Sequence, residues 1–207
     1  MSDILKYFPD LTPEQIISFE RMIPLYSNWN KKVNVVPPKE IDSLYDKHIL
    51  HSLAIAKIIS FSPGSRILDV GTGGGFPGIP LAILFPTSQF VLIDPVRKRI
   101  KVVQTIADEL GLKNVTVIRA KVEDFNEIFD FVVSRAVTAF PILVGLVRKN
   151  ISRKPHNSLP NGILYLKGGS FEDEIEDFKR KVVVSEIARF FSEPSFYSKK
   201  VVYLPVN

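Results

Sequence analysis

Asp69 closes a short apolar run, Arg66-Ile67-Leu68-Asp69-Val70, and five glycines follow within eight residues: Gly71, Gly73, Gly74, Gly75 and Gly78. An apolar helical pattern then begins at Ile79. A strand, a glycine-rich turn and a helix start in this order let bare backbone approach a nucleotide-like ligand. Asp94 ends the next apolar run, 19 residues beyond Gly75. A carboxylate at that place can accept hydrogen bonds from ribose hydroxyls, or it can simply cap a helix before Pro95. Val122 and Glu123 follow a third run. There a backbone amide and a carboxylate could read an adenine edge, or the acid could serve only to start a helix.

The glycines admit two registers. Gly73, Gly75 and Gly78 fit the G-x-G-x-x-G of dinucleotide enzymes, whereas Asp69, Gly71, Gly73 and Gly75 fit the acid-x-G-x-G-x-G of S-adenosylmethionine (SAM) methyltransferases. Charge separates them. A dinucleotide places a pyrophosphate at this turn, and a neighbouring acid would repel it. SAM carries an ammonium and a sulfonium and no phosphate, so Asp69 favours SAM as the cofactor.

Ser134-Arg135-Ala136 follow a fourth run and Lys167-Gly168-Gly169 a fifth, at the carboxyl edge where a methyl acceptor should meet the donor. Arg135 could hold a phosphate or a base oxygen, or pair with an acid; Lys167 could neutralise an RNA phosphate, or be a solvated strand end. The Asp/Asn-Pro-Pro-aromatic motif of many amine methyltransferases is missing, and with no cysteine in the chain covalent attack on a pyrimidine carbon is excluded. A ring nitrogen with a free lone pair, such as guanine N7, requires neither device; alignment and charge management suffice. No general base is expected.

These residues need a parallel sheet to gather them. Strands are predicted at 66–70, 89–93, 115–119, 129–133 and 162–166, and helices at about 77–84, 96–110 and 138–150. This alternation is the signature of an α/β, Rossmann-like fold, mostly parallel. Residues 182–191 and 200–206 are β-rich and could pair as an antiparallel hairpin at the sheet edge, after a helix over 171–181; 152–161 reads as an exposed loop. Upstream, Thr12-Pro13-Glu14-Gln15 is a capping box with proline at the first helical position. Ile16, Phe19, Ile23 and Tyr26 continue at helical spacing, and Pro24 is expected to kink or divide that helix. Helical patterning resumes over 39–60. The predicted organisation is therefore an N-terminal helical extension, 1–60, and a SAM-binding domain, 61–207, forming one compact unit.

The net charge of +5 is unevenly spread: seven basic and seven acidic side chains in 1–60, eleven against eight in 61–150, nine against seven in 151–207. An excess on the glycine-loop half and the tail suits a polyanion, or serves only solubility. Arg97-Lys98-Arg99 with Lys101 opposes the dipole at a helix start. His48 and His51 lie one turn apart with no ligand set around them, so no metal is expected. No apolar run reaches about 18 residues, and no leader opens the chain, so a soluble, cytoplasmic protein without a membrane partner is expected. A monomer is expected.

The chain resembles the RsmG (GidB) family of bacterial methyltransferases, which modify guanine N7 in 16S ribosomal RNA. The resemblance rests on Asp69-Val-Gly-Thr-Gly-Gly-Gly-Phe-Pro-Gly-Ile-Pro-Leu-Ala82, with Lys47-His48-Ile-Leu-His-Ser-Leu53, Val122-Glu123 and Ser134-Arg135-Ala136. It implies the class I SAM-dependent methyltransferase fold and SAM contacts from Gly71, Phe76, Val122, Glu123 and Arg135, with Gly73 in the loop and Asp94 near the ribose. It further implies that Asn34, His48 and Lys167 line the RNA side, and that 16S RNA or the small ribosomal subunit is the partner. Three other functions remain open on the residues alone: a small-molecule SAM methyltransferase, a nicotinamide-dependent oxidoreductase using the alternative glycine register, and a non-catalytic SAM-binding ribosome assembly factor.

Overall fold

A computed structural model describes residues 2–135, 137–169 and 171–206. Seven strands form one sheet in the order β3-β2-β1-β4-β5-β7-β6. The first five, β1 (Arg66–Val70), β2 (Gln89–Ile93), β3 (Val115–Ile118), β4 (Phe131–Arg135) and β5 (Gly162–Gly168), run parallel. β7 (Lys199–Pro205) runs antiparallel to β5, and β6 (Val183–Glu186) antiparallel to β7, so the expected antiparallel edge is present.

Each central strand is apolar on both faces, as a doubly covered parallel sheet requires. Ile67, Phe90, Leu92, Phe131, Val133, Leu164 and Leu166 enter one core, while Leu68, Val70, Val91, Ile93, Val132, Ile163 and Tyr165 enter the other. The first core is covered by α4 (Gly78–Leu84), α5 (Arg97–Glu109) and the N-terminal elements, the second by α6 (Phe140–Val147) and two 3-10 turns, 122–124 and 172–178.

The N-terminal elements are α1 (Ser2–Tyr7), α2 (Pro13–Asn30) and a mixed helical stretch over 38–57 that contains α3 (His51–Leu53). The capping box forms as predicted: Gln15 N–H donates to Thr12 Oγ1 at 3.3 Å, and Thr12 N–H to Gln15 Oε1 at 2.9 Å. Pro24 does not divide α2, which is helical through 13–30. Pro24 and Glu20 both sit on the exposed side, where the carbonyl freed by the missing N–H can meet water. Phe19, Met22 and Tyr26 from the opposite side enter the same core as Ile67 and Phe90, so the 1–60 extension shares its core with the sheet.

Other local expectations shift. The stretch 39–60 is no regular helix but 3-10, π, α and 3-10 turns in succession. β4 begins two residues later than expected, because Phe129 instead pairs with Ile151 in an isolated bridge. The 171–181 helix is a 3-10 turn over 172–178, and of 182–191 only 183–186 is strand.

Candidate SAM site and its basic flank

The glycine loop lies over the carboxyl ends of β1 and β2 and is stitched down by its own backbone. Thr72 N–H donates to Ile93 O at 3.0 Å, and Gly73 N–H to Asp94 Oδ2 at 3.1 Å. Asp94 Oδ1 accepts from Val96 N–H at 2.8 Å, and Arg99 stands 3.5 Å from Oδ2. Asp94 is thus the pin between the glycine loop and the start of α5.

Asp69 plays a different part from the one its charge suggested. It is fully buried and does not line the cleft; its Oδ2 accepts from Thr72 Oγ1 at 2.6 Å and from Gly78 N–H at 2.9 Å. It latches the loop from beneath. Burial pushes its carboxyl up to about 7, against the hydrogen bonds from Thr72 and Gly78 and the nearby Arg135 cation. The folded protein therefore holds a proton that the unfolded chain has released, and this contribution to stability is lost as pH rises from about 4 to about 7. Asn at this position keeps an acceptor oxygen and does not titrate. The Tm of Asp69→Asn relative to wild type is expected to be higher at about pH 8 than at about pH 5. A pH-independent difference would show that Asp69 is ionised throughout.

Beside the loop is a cleft of about 400 Å³, walled by Gly71, Ile93, Pro95, Val122, Glu123 and Val137 among others. Gly71 has φ 65°, and a Cβ there would meet Val137 Cγ2 at 2.5 Å, so both conformation and space call for glycine. Val137 and Ile142 leave 46% and 56% of their surface exposed in the cleft, apolar area that a flat heterocycle would cover. Gly74 and Gly78 answer to the protein instead. A Cβ on Gly74 would lie 2.8 Å from Val35 O, and one on Gly78 would lie 2.7 Å from Asp69 Oδ2 and from Leu92 Cγ. Gly78 therefore does not face a ligand, as the dinucleotide register would need. A larger cavity of about 530 Å³ lies between α6 and the end of β7 and carries none of the predicted site residues.

The predicted residues separate into groups. Gly71, Val122 and Glu123 line the cleft, with Gly73 and Asp94 joined at the loop beside it. Phe76 and Arg135 meet each other behind the loop, the guanidinium carbon 5.2 Å from the ring centre. Phe76 is 2% exposed and also packs on Tyr26 (4.9 Å) and His48 (5.1 Å). Ser134 donates to Val70 O at 2.9 Å, tying the ends of β4 and β1; Ala136 lies outside the described residues. His48 is 5% exposed, with one ring nitrogen on Arg135 (3.0 Å) and the other on Glu40 (3.0 Å). Lys167 is held by Glu174 at 2.6 Å, while Asn34 is exposed.

Several contributors escaped the sequence. Tyr26 looks like one more core residue on a helical stripe, yet its hydroxyl donates to Gly74 O at 2.6 Å. Asn30 is buried, and its Oδ1 accepts from Val35 and Val36 N–H, shaping the segment that touches Gly74. Lys199 opens β7 opposite Gly168, half-buried, with no carboxylate within ion-pair distance among the described residues. Burial first, and then the Arg135 and Lys47 cations, push its ammonium down despite Glu40 and Asp46. No local signal marks a lysine in the tail as part of this site.

A glycine loop over β1, an acid pinning it from β2, an apolar cleft beside them and an antiparallel β7 define a class I SAM-dependent methyltransferase. The chain's fold is similar to that of Aeropyrum pernix fibrillarin in complex with S-adenosyl-L-methionine, with a TM-score of 0.55 and 14% identity over 75% of this chain and 73% of that one. The model of GidB, rRNA small subunit methyltransferase G, matches residues 15–199, and the chain belongs to that family. It is 51% identical over 203 residues to the ribosomal RNA small subunit methyltransferase G of Bacteroides thetaiotaomicron, covering 98% of each chain. To that of Flavobacterium johnsoniae it is 52% identical over 207 residues, covering 100% of this chain and 99% of the relative.

Proposed function

We propose that this chain transfers a methyl group from SAM to N7 of a guanine in 16S ribosomal RNA, acting on the RNA or the small ribosomal subunit. The family match over 15–199 supports the small-subunit RNA as substrate. The observation that carries the reading within this chain is the division of the carboxyl edge. An apolar cleft lies at β1 and β2, and the cations Arg135, Lys47 and Lys199 gather beyond it toward β7. Three strand spacings separate β1 from β7, roughly 14 Å, which leaves room for donor and acceptor side by side.

SAM supplies an electrophilic methyl group on a positively charged sulfur. The residues present fit it: Val122 and Val137 line an apolar cleft that would cover a flat ring system, Glu123 offers a carboxylate there, and Asp94, which accepts from Gly73 N–H, lies at the loop beside which a ribose would sit. The guanine N7 lone pair takes the methyl group as the carbon–sulfur bond breaks. No proton leaves N7, so no base is required, and the product purine becomes cationic. Cations crowded on that ring would raise the barrier, so Lys199 belongs on an RNA phosphate and Arg135 on a phosphate or on the cofactor's carboxylate. Lys167, tied to Glu174, and exposed Asn34 extend this RNA face; the protein works as a cytoplasmic monomer.

Two measurements test the reading. Labelled methyl should move from SAM to unmodified small-subunit RNA or particles, with 7-methylguanosine as the only new nucleoside by mass spectrometry. Binding without that product would make the protein an assembly factor instead. Lys199→Ala should weaken RNA binding and lower the slope of log affinity against log salt by about 1, with SAM affinity unchanged. An unaltered slope would remove Lys199 from the RNA face.

A further inference from the structure

We propose that Glu40 and His48 form a positioning dyad for Arg135, with His48 held as a neutral strut of fixed tautomer between a carboxylate and a guanidinium. The inference rests on the methyltransferase reading only for its consequence in catalysis; the geometry is independent of it.

Arginine can only donate. Arg135 Nη2 lies 3.0 Å from His48 Nδ1, so Nδ1 must be the bare, accepting nitrogen. The ring proton is then on Nε2, which lies 3.0 Å from Glu40 Oε2 and donates to it. Both ends of the imidazole are thereby assigned by the chemistry of their partners. A protonated ring would turn an N–H toward the guanidinium and break the contact. Burial, followed by the Arg135 cation and by Lys199 on β7, pushes His48 down to about 4, although Glu40 opposes this. Near neutral pH the ring is uncharged. For Glu40, burial acts upward, but the hydrogen bond from His48 and the Lys47 ammonium at 3.7 Å outweigh it and the net shift is downward.

The dyad acts on Arg135 from one side only. Lys47 O accepts from Nη1 at 3.4 Å, and Phe76 lies beneath the guanidinium at 5.2 Å. His48 is therefore the shortest polar hold on the fork, and it also packs its own ring on Phe76 at 5.1 Å. Glu40 and His48 come from the 38–57 stretch, outside the sheet. Its 3-10 and π turns bring Glu40 and His48 together, eight residues apart, where a regular α-helix would not superpose them.

Glu40→Ala is expected to lower kcat/KM by roughly tenfold to a hundredfold, through kcat more than KM for RNA. Glu40→Gln keeps an acceptor oxygen and is expected to recover most of that loss. In an Arg135→Ala background the same Glu40→Ala change should cost less than about twofold, because the two act as one unit. Independent losses that multiply would overturn the dyad, as would a Gln variant no better than Ala. A readout free of catalysis accompanies this: nitrogen-15 NMR of His48 in the full chain should show a bare Nδ1 and a protonated Nε2 at neutral pH. A protonated Nδ1 would overturn the inference even in a fully active enzyme, and the expected tautomer in a protein making no 7-methylguanosine would refute only the function.

Discussion

Replacing Phe76 by alanine is expected to lower Tm by about 6–20 °C and to weaken SAM binding with it. Phe→Ala in a filled core costs about 3–5 kcal/mol, and in a chain of this size each kcal/mol moves Tm by about 2–4 °C. Phe76 reaches the upper part of that range because it is 2% exposed and supports three different elements at once: Tyr26 from α2, His48 from the 38–57 stretch and Arg135 from β4. The cavity cannot collapse easily. Tyr26 is pinned by Gly74 O, and Gly74 has Val35 O where any side chain would go. Tyr26→Phe removes only that hydroxyl and should cost about 1 kcal/mol. Calorimetry on the three proteins checks the order; a Phe76→Ala shift no larger than that of Tyr26→Phe would mean the loop is held from elsewhere.

Arg135→Ala is expected to reduce kcat by about 10²-fold, the cost of misplacing reacting groups that an orienting residue holds in line. Stability should change less than for Phe76→Ala. Burial already holds the guanidinium pKa down to about 10, so the folded protein gains little from the cation, while its loss strands one histidine acceptor. Arg135→Lys keeps a charge but cannot bridge Lys47 O and His48 together, so its activity should fall between wild type and Ala. Single-turnover methyl transfer with saturating SAM separates this from a cofactor-binding defect. Near-normal turnover of the alanine variant would remove Arg135 from the mechanism.

Residues 66–94 could be read almost completely in the sequence. Their elements are local, glycine, proline or an acid marks most of the boundaries, and short continuous apolar runs give way to helical spacing within the stretch. The runs that lead to Val122, Arg135 and Lys167 were legible as short apolar stretches, although β4 starts and ends two residues later than its run suggested. The 38–57 stretch was not: Leu44, Ile49, Leu53 and Ile55 fit a helical pattern, but three kinds of helical turn serve it, chosen by packing against α4 rather than by propensity. Asp69 was correctly tied to the loop, yet its role was misjudged, because charge is visible in a sequence and burial is not.

The sequence by itself determined the fold class and the register of the glycine loop, and its missing cysteine and missing amine-methylation motif narrowed the acceptor without naming it. Only the tertiary structure decided which glycines face the cleft and which face Val35, Tyr26 and Asp69. It also decided that Glu40, His48 and Arg135, up to 95 positions apart, are one hydrogen-bonded chain. The reason is physical. Local pattern fixes strands and turns, but partners supplied by different elements meet only when the N-terminal extension packs against the sheet and brings Glu40 and His48 to Arg135.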